Sequence, residues 1–192
     1  MRLFRKRNYT EALRRHYKNY FGSSGNVRRW KKGPQDKLHP DFYVLEIAPN
    51  RVHNMWAYLT VGMSVDREDH NLIELVVYSP TQNESLVELL TLNASFHRNA
   101  DALNLHHSVN IGQPCIHGSN CDHGFISLPY LDGEALEIFE FAGKRFHCYW
   151  FIPITERERD FKMEEGVEAL EDLFEKRQFD YLNLHRPCLL QE

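Results

Sequence analysis

Phe42-Tyr43-Val44-Leu45-Glu46-Ile47-Ala48 lies between Pro40 and Pro49 and reads as a strand. Two runs of the same kind follow. Met55-Trp56-Ala57-Tyr58-Leu59-Thr60-Val61 stops at Gly62, and Leu72-Ile73-Glu74-Leu75-Val76-Val77-Tyr78 stops at Ser79-Pro80. Their β-branched and aromatic side chains and their punctuated ends favour strands over helix. Strand following strand argues against one-for-one alternation with helices and for an α+β fold.

Working toward the N-terminus, Thr10 can cap a helix running to about Phe21. Leu13, Tyr17 and Tyr20/Phe21 share one face of it, and Gly22 stops it. Ser23-Ser24-Gly25-Asn26 and Lys31-Lys32-Gly33-Pro34 read as loop.

Working toward the C-terminus, Thr81-Gln82-Asn83-Glu84 has the form of a capping box. Leu86, Leu89, Leu90 and Phe96 then support a helix to about Arg98. Short strands are expected near Leu105–Ile111 and Phe125–Leu128. Leu136–Phe141 and Arg145–Ile154 pair across a three-residue loop, Ala142-Gly143-Lys144. The second arm is apolar on both faces and belongs inside the sheet, with Pro153 marking its exit. Thr155-Glu156-Arg157-Glu158 repeats the capping-box form. Phe161, Val167, Leu170 and Phe174 give a terminal helix that contains Gly166, which weakens it by about 1 kcal/mol relative to Ala. The expected architecture is α+β: a mixed, largely antiparallel sheet packed with helices. It forms one domain over residues 1–192, with a basic helical segment at 1–32.

The 192 residues are 42% hydrophobic and 26% charged, which is ordinary globular composition and excludes disorder. The longest nearly apolar run, Cys148 to Ile154, is far too short to span a membrane. The basic start lacks the apolar core of a signal peptide. A cytoplasmic location follows, with Cys115, Cys121, Cys148 and Cys188 reduced.

The net charge of −4 conceals a split. Residues 1–32 carry eleven Lys and Arg against Glu11 alone, or +10. The other 160 residues carry 12 basic and 26 acidic side chains, or −14. With Tyr9, Tyr17, Tyr20 and Trp30 interleaved, the basic head could contact phosphates and stack on bases. The acidic body would repel that same polyanion, so nucleic acid is not the expected partner.

Cys115-Ile116-His117 and Cys121-Asp122-His123 together offer two thiols and two imidazoles, a possible tetrahedral Zn²⁺ set. Zinc knuckles usually separate paired ligands by two to four residues. Here each pair is one residue apart, which in a strand puts both side chains on one face. A small buried thiol among loop polar groups is the competing reading. Eleven histidines are scattered along the chain without an HExxH motif. There is no G-x-S-x-G elbow and no phosphate-binding loop. Asp132/Glu134 and Glu164/Glu165 read as solvated carboxylates in a turn and on a helix surface.

Several stretches, in their order and spacing, carry a family signature. They are His16-Tyr17 through Tyr20-Phe21-Gly22, His39 to Pro49, and Leu59-Thr60-Val61-Gly62-Met63-Ser64. Next come Gly118-Ser119 to Cys121-Asp122-His123-Gly124, then Ser127-Leu128-Pro129-Tyr130-Leu131-Asp132-Gly133. Ile152-Pro153-Ile154-Thr155-Glu156, Gly166 to Glu171 and Phe179-Asp180-Tyr181-Leu182 complete the set. Together they resemble the suppressor of fused (SUFU) family, in its bacterial single-domain form. The resemblance implies an α/β sandwich-like domain without enzymatic activity and without a cofactor or metal. Eukaryotic members sequester a Hedgehog-pathway transcription factor by pairing with one of its strands. Bacterial members are thought to be immunity proteins that bind and neutralise partner toxins. Within the motifs, Pro129 and Gly133 fix the backbone, and Leu128 and Leu131 can pack inward.

The leading expectation is therefore a protein-binding module that neutralises a partner toxin, such as a basic toxin domain, by occlusion through an edge strand or groove. A zinc-dependent hydrolase built on residues 115–123 and a nucleic-acid binder built on residues 1–32 are the alternatives.

Overall fold

The computed structural model describes residues 2–33, 37–69 and 71–191, with side chains from Tyr9 onward. Pro34, His70 and the side chains of Arg2, Arg5, Lys6 and Arg7 lie outside the described residues.

The chain opens with α1 (Arg2–Phe21) and a short strand β1 (Asn26–Arg28). Thr10 is not the cap of α1: the helix starts eight residues earlier, and Thr10 is buried within it. Leu13, Tyr17 and Phe21 do form its buried face. The three strand-like runs become β2 (Tyr43–Ile47), β3 (Trp56–Val61) and β4 (Ile73–Ser79). The following helix is α2 (Glu84–Asn99). Its cap is Asn83, whose side chain accepts from the Ser85 amide, so the Thr81 capping box does not form. An Asn two residues nearer the helix satisfies the orphan donors instead. His97 is buried on this helix, whereas Phe96 is 41% exposed, contrary to its expected place on the apolar face.

Next come β5 (Ser108–Asn110) and β6 (His123–Ser127), both near their expected places but shifted or shortened at the ends. One helical turn, α3 (Glu134–Glu137), precedes β7 (Ile138–Phe141) and β8 (Lys144–Ile154). The β7–β8 loop has two residues, not three, because Phe141 pairs with Lys144. Ala142 and Gly143 both have positive φ, as the mirror-image turns favoured in hairpins require. Pro153 sits within β8, opposite Gly124, rather than after it.

The terminal helix is two helices, α4 (Glu156–Glu165) and α5 (Val167–Lys176). Gly166, at φ 97°, breaks the helix rather than merely weakening it. The Thr155 capping box of α4 forms as expected: Thr155 Oγ1 accepts from the Glu158 amide, and Glu158 accepts from the Thr155 amide.

One eight-stranded sheet runs β1-β2-β3-β4-β8-β6-β5, with β7 also paired to β8. Only β4–β8 is parallel among the described pairs; the others are antiparallel. The fold is α+β with a mixed, largely antiparallel sheet. β8 is interior, as its two apolar faces demand: it borders β4 on one edge and β7 and β6 on the other. Alternate residues point to opposite faces. Leu45, Leu59, Val76, Trp150 and Ile152 pack with α1, α4 and α5. Val44, Tyr58, Leu75, Ile126 and Phe151 pack with α2 and the 103–121 segment. Two layers of helix and loop thus enclose the sheet, and polar groups caught between them need partners.

Candidate functional site

Glu74 is one such group. It interrupts the apolar β4 and is 1% exposed. Its Oε1 accepts from Tyr9 Oη (2.7 Å), the Gly62 amide (3.2 Å) and the Ser64 amide (3.4 Å). Its Oε2 accepts from Thr60 Oγ1 (2.6 Å) and the Met63 amide (3.2 Å). The β3–β4 ladder stops at Leu59↔Val76, and one residue on the Leu75 amide donates to the Thr60 hydroxyl instead. Gly62, at φ 97°, turns three successive amides onto one carboxylate, a backbone nest. Burial pushes the Glu74 carboxyl up, and these donors only partly pull it back. Gly62, Met63 and Ser64 are thus occupied with an internal anion.

Asp132 is a second hub. It accepts from Tyr20 Oη at 2.8 Å and from Tyr78 Oη at 2.6 Å, and His53 Nε2 stands 3.5 Å away. Its side chain is 2% exposed, so the expectation of a solvated carboxylate is wrong for Asp132. A sequence cannot show that α1, the β2–β3 loop and β4 all converge on this turn. The turn is closed by the Asp132 and Gly133 amides, which donate to Pro129 O. Gly133 takes a positive φ. Leu128 packs inward, but Leu131 is 48% exposed and Tyr130 61% exposed, so the turn presents apolar surface rather than burying both leucines. Tyr130 Oη and Ser127 Oγ both donate to Glu171 on α5.

Glu158 and Arg186 form a third. Arg186 forks onto both Glu158 oxygens at 2.6 and 2.8 Å, and the Leu189 amide adds a bond at 2.8 Å. Burial pushes the Glu158 carboxyl up, but Arg186 and the amides outweigh it and hold it below the ordinary carboxylate value.

The Cys/His cluster does not assemble. Cys115 and Cys121 are buried cross-loop neighbours, the Cys115 amide donating to Cys121 O at 2.8 Å. His117 is exposed, in a loop and not a strand. His123 Nδ1 faces Asp122 at 2.9 Å, with its Nε2 buried and unbonded. Among the described residues, no three His, Cys, Asp or Glu side chains are grouped to hold a metal ion. Burial raises both thiols, Cys121 to about 11, away from the thiolate a ligand or nucleophile must be. Gly124 of the same stretch sits against the Phe151 ring. Gly62–Ser64, Cys121, His123 and Gly124 are therefore turned inward, whereas the Leu128–Gly133 turn leaves Tyr130 and Leu131 exposed.

Residues 39–187 match the suppressor of fused protein family profile. The chain belongs to the suppressor of fused (SUFU) family. A suppressor of fused homologue from Neisseria gonorrhoeae shares 29% identity, covers 97% of this chain and 99% of its own, and superposes with a TM-score of 0.81. The immunity protein YqcF of Bacillus subtilis is 22% identical over 88% of this chain and 92% of its own length. Drosophila Suppressor of Fused has the same fold at 10% identity, with a TM-score of 0.68. This chain covers about half of it, 51%. A Sufu–Fu complex superposes at 0.69 with 11% identity. The family and a relative named as an immunity protein agree with a protein-binding role. The described residues contain no helix long and apolar enough to cross a membrane.

The carboxylate hubs escaped sequence reasoning in part. Glu74 left a signal, a single acid within Leu72-Ile73-Glu74-Leu75-Val76. Arg186 left none, because its partner lies 28 residues away.

Proposed function

We propose that this chain is a non-enzymatic immunity protein of the cytoplasm, one domain over its 192 residues, which neutralises a partner toxin by binding it directly. The observation that carries the reading is the likeness to YqcF, which extends over nearly the whole of both chains. Neutralisation by a fold of this kind requires only that an edge or groove occlude the partner. The end strands β1 and β5 each offer a free edge. The surplus of acid outside residues 1–32 favours a basic partner and faster encounter with it. Four buried free thiols suit a reducing compartment. The motif residues Gly62–Ser64, Cys121–Gly124, Ser127–Tyr130, Asp132 and Gly133 support the fold rather than touch the partner, a reading supported by the hydrogen bonds that tie Gly62–Ser64 to Glu74, Asp132 to Tyr20 and Tyr78, and Ser127 to Glu171.

The test is co-expression with the product of the neighbouring open reading frame. A stable complex that weakens with salt, and rescue of growth from that product's toxicity, are expected. Capture of nucleic acid with no protein partner would sink the reading.

A further inference from the structure

The Leu128–Gly133 turn keeps apolar side chains outside. Tyr130 is 61% exposed and its neighbour Leu131 48% exposed. The other large apolar side chains exposed among the described residues, Val27, Val52, Phe96 and Met163, have no such neighbour in sequence. Single exposed apolar residues are ordinary; an adjacent pair on a fixed turn points to an interface. The turn is fixed from within. Asp132 is held by Tyr20 and Tyr78, and the Asp132 and Gly133 amides close onto Pro129 O. Tyr130 Oη donates to Glu171 at 3.1 Å, which sets the pair against α5. Much of the ordering that binding would demand is therefore complete beforehand. Glu171 is one of four carboxylates on α5. Glu168, Asp172 and Glu175 follow at i, i+4 and i+7, share one face, and are exposed without an ion pair to any described residue. The bases of the neighbouring segments are engaged inward: Lys162 donates to His106 O, and Arg186 forks onto Glu158. α5 itself carries one base, Lys176, at its C-terminal end.

We infer that the Tyr130–Leu131 turn and the carboxylates of α5 beside it form the docking surface for a basic protein partner, one that sets apolar side chains among Lys or Arg. The inference rests on the protein-binding reading above and adds the place and chemistry of contact. It differs from that reading at Tyr130 alone, whose hydroxyl supports the turn while its ring meets the partner. The two apolar side chains supply the dry centre of the contact, and Glu168, Asp172 and Glu175 supply a rim of one sign. Lys and Arg match that rim and are drawn to it, whereas an acidic surface is repelled.

The experiment uses the full-length chain and a defined probe, the peptide acetyl-Lys-Phe-Lys-Lys-Phe-Lys-amide, beside a counterpart with Glu at every Lys. Saturable binding of the basic peptide that weakens with salt is expected, with NMR shifts at the Leu131 methyls, the Tyr130 ring and the α5 amides. The acidic peptide should not bind. Tyr130→Ser with Leu131→Ser should lower affinity about tenfold or more, as loss of a central apolar contact does. Glu168→Gln, Asp172→Asn and Glu175→Gln together should lower it about fivefold, the effect of three exposed charge contacts. Glu68→Gln, Glu88→Gln and Asp101→Asn remove as much charge elsewhere and should leave it nearly unchanged. All these side chains are outside the core, so melting midpoints should stay close to the parent's. If the turn variant melts early, the α5 triple variant decides. Shifts confined to another surface, equal loss from the two triple variants, binding of the acidic peptide, or no binding would each overturn the surface. None of these depends on the toxin assay, so the surface can fail while the binding function stands. The reverse also holds.

Discussion

A β-carbon built on Gly124 would stand 1.9 Å from Cζ of Phe151. The two residues sit diagonally across β6 and β8, where Gly124 pairs with Pro153 and Ile126 with Phe151. The Phe151 ring occupies the space a side chain at 124 would need, and it is itself fully buried. Gly124→Ala should therefore overpack the α2-side core and lower stability by about 3 kcal/mol or more. Gly124→Ala combined with Phe151→Leu should recover part of that loss, because the two changes share one space. Urea denaturation midpoints check both. Equal losses that simply add would show that the contact does not govern the site.

The Glu74 nest predicts an ordered series. Tyr9→Phe removes one donor of five and should cost about 1–2 kcal/mol. Glu74→Gln keeps the shape but turns an NH₂ group toward donors. It should cost more, about 3 kcal/mol, by leaving buried amides unmatched. Chemical denaturation of the two variants decides the order.

His97 sets the first part of the acid response. Burial, with Arg67 nearby, pushes it down to about 4 from an ordinary 6.5. Its Nδ1 accepts from the Leu103 amide, so the folded state holds it neutral. The unfolded chain takes up a proton at higher pH than the native one. Stability should thus fall as pH drops from about 6.5 to about 4. His97→Asn keeps an acceptor near Nδ1 and cannot titrate, so its denaturation midpoint should stay flatter across that window. An unchanged slope would remove His97 as the cause.

Glu158 governs a lower window. Its folded value lies below the ordinary 4.5, so its contribution is complete above that pH and is lost as pH falls through the folded value. Glu158→Gln should abolish this part of the acid transition. Arg186→Met leaves the carboxylate buried without its partner and should cost about 3–5 kcal/mol at neutral pH. Urea midpoints measured from pH 7 to pH 3 separate the two effects.

Zinc tests the dispersed Cys/His set. One equivalent of Zn²⁺, or removal of metal by a chelator, should leave the melting midpoint unchanged. A rise of about 5 °C or more on adding Zn²⁺ would mean that Cys115, His117, Cys121 and His123 can come together after all.

The sequence by itself determined the longer secondary elements and the fold class, but not β1, nor α3, which takes Leu136 and Glu137 out of the expected Leu136–Phe141 strand. The β-branched and aromatic strand runs between Tyr43 and Ser79, the α1 stripe of Leu13, Tyr17 and Phe21, and the Thr155 capping box are local patterns, and local patterns survive without the fold. Helix ends were less legible: Asn83 displaced Thr81, and Gly166 broke what reads as one helix, because neighbouring geometry selects among rival caps. Only the tertiary structure decided which charges are inside. Glu74 meets Tyr9 from 65 residues away, Asp132 meets Tyr78 from 54, and Glu158 meets Arg186 from 28. The structure alone also parted the exposed His117 from the buried Cys115. Contacts of that kind depend on which segments the sheet brings together, and side-chain spacing along the chain does not encode that.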